Sequence, residues 1–360
     1  MVITQKDIGF LKIALKLASK GSGHTNPNPM VGAVIVKNNK EIARGFHKKY
    51  GGLHAEIEAI KNAKTEVQGA TMYVNLEPCC HTNKQTPPCT EAIISAGIKK
   101  VVCCTVDPNK NVSGKGIKFL RAAGIKVEVG ALAKEAKYLN AAFFCFHQKK
   151  RPLVIIKFAC SADGKIATKT GDSKWITNTK ARGFARNLRG EFQAIMVGTK
   201  TVLKDNPHLG AQDFKNRDPK RIILDAKLEI GRRAKVYRDN NVLVFTSRLA
   251  DKQKIESLKE KGVEVVVLKQ VVPPAMIILR ELYKRKIISV FVEGGAELQG
   301  SFVDKKLVDK FYIFYSPIII GGKKAKSLSG EGIKKIIEAI YLKNTTLKTF
   351  GDNWMISGTV

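Results

Sequence analysis

The stretch LHAEIEAI (53–60) sets a histidine and a glutamate two residues apart, directly after Gly51-Gly52. Alone, His54-x-Glu56 reads either as a helix start with a charged exposed face or as half of a metal-activated water site. Residues 75–91, NLEPCCHTNKQTPPCTE, favour the second reading. A strand ending near residue 76 runs into Glu77-Pro78 and Cys79, and Cys89 opens a helix after Pro87-Pro88. Zinc prefers thiolate and imidazole ligands, and a catalytic zinc keeps one of four positions for water. His54, Cys79 and Cys89 supply three such ligands, each at or near a helix N-terminus, where the macrodipole favours thiolate. Water on such an ion ionises near pH ~7 rather than ~15.7. Glu56 is placed to carry protons between that water and a leaving group. Cys80 and His81 are the competing ligands. Adjacent residues on one backbone point apart, which disfavours a Cys79/Cys80 pair, and His81 as a fourth ligand would close the position water needs.

The second half of the chain has no G-x-G-x-x-G after its first strand, so the dinucleotide fingerprint is absent there. Two glycine-bearing strand ends remain. IMVGTKTVLKDNP (195–207) runs from a strand through Gly198 and Thr199. SVFVEGGAEL (289–298) runs from a strand through Glu293 and Gly294-Gly295 into a helix. A helix N-terminus after small residues offers free N–H groups to an anion, although such turns are also simply structural.

Elements must position these groups. Apolar strand signals at 30–36, 70–76, 101–106 and 125–129 alternate with helical periodicity at 7–19, 54–64, 90–96 and 115–123, which predicts a layered α/β domain. Near HQKKRPL (147–153) three basic residues and a proline precede a fresh apolar strand. This predicts two domains, 1–148 and 149–360, in line with a length of 360 residues. In the second, strands are expected at 153–159, 194–198, 221–225, 242–246, 263–268, 287–292 and 310–316. Helices are expected at 179–189, 250–261, 275–285 and 296–305. The last forty residues predict a helix and two strands, with Trp354 a packing residue and no chemistry.

Composition bounds the partners. No run of 18 or more apolar residues occurs, so no membrane partner is expected. The N-terminus has amphipathic helical spacing rather than the apolar core of a targeting peptide. A net charge of +32 comes from lysines and arginines scattered along the whole chain. That pattern predicts a surface suited to anionic small molecules, and no nucleic-acid partner. The seven cysteines have no framework spacing. Cys103, Cys104, Cys145 and Cys160 read as small buried hydrophobes, and a reduced, cytoplasmic protein is expected.

Zinc base deaminases carry H-x-E followed by P-C-x-x-C. This chain keeps HAE and PC, but its second cysteine follows the first by ten residues instead of three. HTNPNPMVGAVIVKNNKEIARGFHKKYGGLHAEIEAI, YVNLEPCCH…TPPC and TVDPNKNVSGKGI resemble the deaminase half of the bifunctional riboflavin-biosynthesis deaminase/reductase family. In that family a longer loop ending in TPPC separates the cysteines. KFACSADGKIAT, GDSKWIT, ARGFARNLRGEFQAIMVGTKTVLKDNP and FVEGG resemble its reductase half, so the resemblance spans about residues 7 to 320. It implies an α/β protein with an N-terminal cytidine-deaminase-like α/β/α layered domain and a C-terminal dihydrofolate-reductase-like α/β domain. Implied cofactors are Zn2+, held by His54, Cys79 and Cys89, and NADPH. Glu56 becomes the proton carrier, and Asn28 in PNPMVG lines the pyrimidine pocket. NADPH contacts fall on Ala159, Trp175, Thr201, Asp205 and a loop from Gly295 to Ser301. The sugar-phosphate substrate meets Ser173, Arg189, Leu209 and Glu293, with the Arg189 fork suited to phosphate. A phosphorylated pyrimidine is the implied small-molecule partner, and a homo-oligomer is expected.

Two departures stand out. The loop after Cys79 is one residue longer than the family form, somewhere in 81–85. The family continues DNP-x-L-T-x-R where this chain reads DNPHLGAQ, so Gln212 takes the place of an arginine and Arg217 lies five residues on. Two rival readings lead elsewhere: a transfer-RNA base deaminase with an accessory domain, or a structural zinc module with His81 as fourth ligand.

Overall fold

The computed structural model describes residues 3–81, 87–212, 217–328 and 330–360. Of the positions bearing on the lengthened loop, those after His81 therefore lie outside the described residues. The chain divides into two compact units, Met1–Arg151 and Pro152–Val360.

The first unit runs α1 (Gln5–Ser19), β1 (Gly32–Lys37), β2 (Lys40–Phe46), α2 (Ala55–Lys61), β3 (Thr71–Val74), α3 (Cys89–Ser95), β4 (Lys100–Cys103), α4 (Lys115–Ala122), β5 (Lys126–Val129), α5 (Ala133–Leu139) and α6 (Ala141–Lys149). Its sheet has the order β2-β1-β3-β4-β5. β2 was not apparent as a strand. It is created by a tight hairpin in which Asn38 and Asn39 adopt φ of 51° and 60°, the conformation that matches strand twist. β1 is apolar up to its last residue, Lys37, because helices cover both its faces. Val34 and Val36 pack with Leu11, Ala14 and Leu17 of α1, while Ala33 and Ile35 pack with Ala55 and Ala59 of α2. Gly32 permits this closeness, since a Cβ there would lie 2.2 Å from the Ala14 carbonyl oxygen. Thr4 caps α1 reciprocally with Asp7: Thr4 Oγ1 accepts from Asp7 N, and the Asp7 carboxylate accepts from Thr4 N.

The second unit runs β6 (Leu153–Ser161), α7 (Thr179–Leu188), β7 (Ala194–Gly198), α8 (Thr199–Asp205), β8 (Lys220–Leu224), β9 (Val242–Ser247), α9 (Lys252–Glu260), β10 (Glu264–Leu268), α10 (Ala275–Lys284), β11 (Ser289–Glu293), α11 (Ala296–Asp304), β12 (Lys310–Ser316), β13 (Lys343–Phe350) and β14 (Asn353–Thr359). The sheet order is β10-β9-β8-β7-β11-β6-β12-β14-β13. Every pairing from β10 to β12 is parallel, and β14 and β13 add an antiparallel hairpin. Apolar clusters lie on both faces of the parallel part, which explains its unbroken Val/Ile/Leu runs. Ligands of such sheets bind beyond the carboxyl ends of the strands. Here those ends are Ser161, Gly198, Leu224, Ser247, Leu268, Glu293 and Ser316.

Of the helix and two strands expected in the last forty residues, the strands form, but among the described residues the helix is only a 3-10 turn, Ile336–Glu338. Ile336 and Ile337 are 88% and 87% exposed, so no buried face stabilises a helix. Trp354 packs as expected, stacked on Tyr315 at 5.7 Å. Cys103, Cys104, Cys145 and Cys160 are buried, and none of the seven cysteines is in a disulfide. No helix among the described residues is long and apolar enough to cross a membrane.

Candidate functional site

His54 is the N-cap of α2, Cys89 is the first residue of α3, and Cys79 follows β3 on the connection between them. The backbone N–H of Thr90 donates to the Cys79 carbonyl at 3.2 Å, which fastens that connection to the start of α3. His54 Nδ1 lies 3.4 Å from Cys79 Sγ and 3.2 Å from Cys89 Sγ, and the two sulfurs are 3.2 Å apart. Zinc bonds run about 2.3 Å to sulfur and about 2.0–2.1 Å to nitrogen. Three such donors within 4.8 Å of one another would hold one ion of this kind, so the donor set fits the metal. Among the described residues no other group of His, Cys, Asp or Glu converges in this way. Cys80 and His81 stand outside the cluster.

Glu56 is in the first turn of α2 and 3% exposed. The cysteine-bearing connection is held from below by Glu77, whose carboxylate accepts from the N–H groups of Asp107, Gly114 and Ile117. Gly116 in α4 lies so close that a Cβ would sit 2.1 Å from the Pro78 carbonyl oxygen.

His47 was not singled out from the sequence. Its Nδ1 lies 2.9 Å from the Leu53 carbonyl oxygen, which can only accept, so Nδ1 carries the proton. Nε2 is then the acceptor and faces the Asn28 amide nitrogen at 3.3 Å. The ring also meets His54 edge-on at 5.3 Å, and burial holds its pKa below the ordinary histidine value. A contact chain thus links Asn28 to the metal-ligand cluster. The same segment is clamped at Met30: its N–H donates to Asn140 Oδ1 at 2.8 Å, and its carbonyl accepts from Asn140 and Asn75. A histidine seven residues ahead of His54, after Gly45-Phe46, was the available signal.

In the second unit the two glycine-bearing strand ends abut, with a Cβ on Gly294 falling 4.0 Å from Gly198 N. Glu293 closes β11, and the Arg189 guanidinium forks its carboxylate through Nε and Nη2 at 2.8 Å each. Arg189 Nη1 donates to the Gly210 carbonyl at 3.1 Å. The fork aimed at a phosphate from the sequence is therefore engaged with a carboxylate and a carbonyl. Burial pushes the Glu293 carboxyl up, but Arg189 and Lys157 outweigh it and hold it at about 2. Lys157, also missed, is pushed below the ordinary lysine value by burial, against the pull of Glu293.

Asp205, ending α8, pairs with Lys174 Nζ at 3.1 Å, and Lys204 Nζ reaches Ser173 Oγ at 3.2 Å and the Gly171 carbonyl. These contacts gather Ser173 and Asp205 into one patch. Trp175 is 68% exposed with the Arg182 guanidinium 4.5 Å above its ring. Thr201 lies within α8 and Ala159 in β6. Leu209 is buried in the core, so its side chain is withdrawn from solvent. The segment Gly295–Ser301, expected as a loop, is the N-cap and first turns of α11, with Ser301 Oγ donating back to the Leu298 carbonyl. Gln212 accepts from Arg186 Nε at 2.8 Å.

The three-donor metal cluster lies in the first unit and the parallel sheet with its glycine-bearing strand ends in the second, and a separate family model, one of a zinc-binding deaminase region and one of a reductase domain, matches each. The model of the cytidine and deoxycytidylate deaminase zinc-binding region matches residues 4–105, and that of the RibD C-terminal domain matches residues 152–356. The Riboflavin biosynthesis protein RibD of Aquifex aeolicus is 42% identical over 356 residues, covering 99% of both chains. That of Actinobacillus pleuropneumoniae is 41% identical, covering 99% of this chain and 96% of its own. Among solved structures, Acinetobacter baumannii RibD, form 1, superposes with a TM-score of 0.90 at 33% identity over 99% of each chain. The Thermotoga maritima diaminohydroxyphosphoribosylaminopyrimidine deaminase/5-amino-6-(5-phosphoribosylamino)uracil reductase does so with 0.86 at 39% identity over 98% of each. The chain belongs to the RibD family, bifunctional enzymes of riboflavin biosynthesis with a zinc-dependent deaminase half and an NADPH-dependent reductase half.

Proposed function

We propose that this chain deaminates 2,5-diamino-6-(5-phosphoribosylamino)pyrimidin-4(3H)-one and then reduces the ribosyl group of 5-amino-6-(5-phosphoribosylamino)uracil to ribityl. The observation that carries the reading is the approach of His54 Nδ1, Cys79 Sγ and Cys89 Sγ to within 4.8 Å of one another. These three residues are the zinc ligands of the proposal. When bound there, the ion supplies the Lewis acidity that makes water nucleophilic at neutral pH. Glu56, buried in the first turn of α2 two residues after the ligand His54, takes a proton from the attacking water and delivers it to the departing ammonia. Such a shuttle contributes about 10²–10⁴-fold. Asn28, its amide oriented by His47, lines the pyrimidine pocket.

NADPH bound in the second unit would supply the hydride for C1 of the ribosyl group, where the bond to the ring oxygen breaks and that oxygen takes a proton; the protein orients the two partners. Ala159, Trp175, Thr201, Asp205 and the start of α11 from Gly295 to Ser301 form the cofactor side. Ser173, Leu209, Arg189 and Glu293 form the substrate side. Here Arg189 holds the Glu293 carboxylate ionised at the end of β11. Seven cysteines with no disulfide between them support a reducing, cytoplasmic setting. The exposed apolar residues Ile336, Ile337 and Tyr341 support a homo-oligomer.

The test is incubation with the diaminopyrimidine phosphoribosyl substrate, following ammonia release and NADPH oxidation separately. Both are expected, in that order. Absence of ammonia release by zinc-loaded protein would overturn the deaminase assignment.

A further inference from the structure

Gln299 is a polar residue in an apolar place. It is the fourth residue of α11 and 0% exposed, and its helix neighbours Leu298, Phe302 and Val303 pack into the apolar cluster on that face of the sheet. Its Nε2 donates to the Lys157 carbonyl of β6 at 2.9 Å. Its Oε1 is shut off from solvent and has no hydrogen-bond partner among the described residues. A buried amide oxygen without a donor is a net cost to the fold, and methionine would fill nearly the same volume without it. A half-satisfied buried amide therefore calls for a functional account.

The place of its one hydrogen bond supplies that account. Lys157 stands in register with Glu293, the last residue of β11. There the chain leaves the sheet through Gly294-Gly295 and enters α11. Gln299 reaches back from the helix to the strand residue opposite which β11 ends. Glu293 carries the Arg189 fork, and Lys157 is buried where it feels both charges. Two residues further along β6 lies Ala159. The Gln299 amide thus fastens the helix whose start forms the cofactor side to the strand residue that shares the ionic cluster of the substrate side.

We infer that Gln299 is a positioning residue of the reductase, locking α11 to β6 so that the nicotinamide carbon that gives hydride and the ribosyl carbon that receives it keep one separation. The inference rests on the reductase reading above. Gln299 touches neither reactant; it acts through the Lys157 backbone on one side and the helix start on the other. Rate is steep in such geometry, and a misplacement of about 1 Å can cost about 10²-fold. Ground-state binding is spread over many contacts and changes far less. The signature is a loss in kcat with little change in KM.

The test compares full-length wild type, Gln299→Met and Gln299→His, using pre-deaminated phosphoribosyl substrate with NADPH and with NADPH deuterated at both C4 positions. In Gln299→Met, loss of the donor to Lys157 and loss of the unpaired Oε1 offset one another, so Tm should hold within about 3 °C. Its kcat should fall about ten- to hundredfold, with both KM values and ammonia release within about threefold. The deuterium isotope effect on kcat should grow as hydride transfer becomes rate-limiting. Gln299→His, whose ring N–H can still donate to the carbonyl, should recover part of kcat. Unchanged kcat and isotope effect in Gln299→Met would overturn the inference. A raised KM for NADPH at unchanged kcat would make Gln299 a cofactor contact and overturn the positioning role. A Tm lowered by more than about 8 °C, with every parameter falling together, would reduce it to a packing residue. Wild type that oxidises no NADPH with this substrate fails the reductase reading and the inference with it, whereas an active wild type matched by Gln299→Met fails the inference alone.

Discussion

Replacing Arg189 by methionine would keep much of its stem volume and remove both donors to Glu293. The side chains of this pair are only 15% and 13% exposed, so water cannot take over. Arg189 and Lys157 hold the Glu293 carboxyl at about 2 instead of 4.5, against the upward push of burial. At about 1.36 kcal/mol per pH unit, that fall from 4.5 to about 2 corresponds to roughly 3 kcal/mol. Breaking one partner of a buried pair costs about 3–5 kcal/mol, which is consistent. The second unit of Arg189→Met should therefore be destabilised by roughly 3 kcal/mol at neutral pH. Glu293→Gln added to it should recover most of the loss, giving a strongly non-additive double-mutant cycle. Because the folded pKa of Glu293 lies below its ordinary value, its stabilising contribution is present above pH 4.5 and fades as the pH falls towards about 2. The gap between wild type and Arg189→Met should narrow over that window. Urea unfolding followed by tryptophan fluorescence reads this unit selectively, since Trp175 and Trp354 are the two tryptophans of the chain and both belong to it. A loss below about 1 kcal/mol, additive single variants, or a gap unchanged at acid pH would refute the reasoning.

Glu56→Gln should lower ammonia release by about 10²–10⁴-fold while NADPH oxidation with pre-deaminated substrate persists; loss of both would contradict two separate sites. Cys89→Ala should lower bound zinc from one equivalent to well below it, measured by elemental analysis after dialysis against a competing chelator; full retention would move the ligand set elsewhere. Gly116→Ala forces α4 away from the Pro78 carbonyl, so stability should fall by about 1–3 kcal/mol and zinc affinity with it, because Pro78 precedes Cys79. Normal melting and zinc titration in that variant would show that the contact yields without consequence. Asn140→Ala strips two partners from Met30 and should cost about 1–3 kcal/mol in thermal unfolding, together with a raised KM for the deaminase substrate.

Much of the architecture was legible because local periodicity and burial agree. The apolar runs at 194–198 and 310–316 coincide with β7 and β12, and helical spacing marked α7 and α10 to within a residue. The misses have local causes. β2 carries only three apolar residues, Ile42, Ala43 and Phe46, and depends on the Asn38-Asn39 turn. α8 begins directly at the strand end, with no polar spacer to announce it. The turn at Ile336–Glu338 has helical spacing but nothing to pack against.

By itself the sequence determined which residues have the right chemistry: one imidazole, two thiols among seven, and a glutamate beside the imidazole. Side-chain type and helix-start position are local properties, and a linear pattern carries them. Only the tertiary structure decided which groups meet. It brought Cys79 against His54, made His47 a link between Asn28 and Leu53, and turned the Arg189 fork onto Glu293. Those outcomes depend on partners 6 to 104 positions away in the chain. Such separations carry no sequence signal, because they are set by how strands order themselves in a sheet and how helices pack upon it.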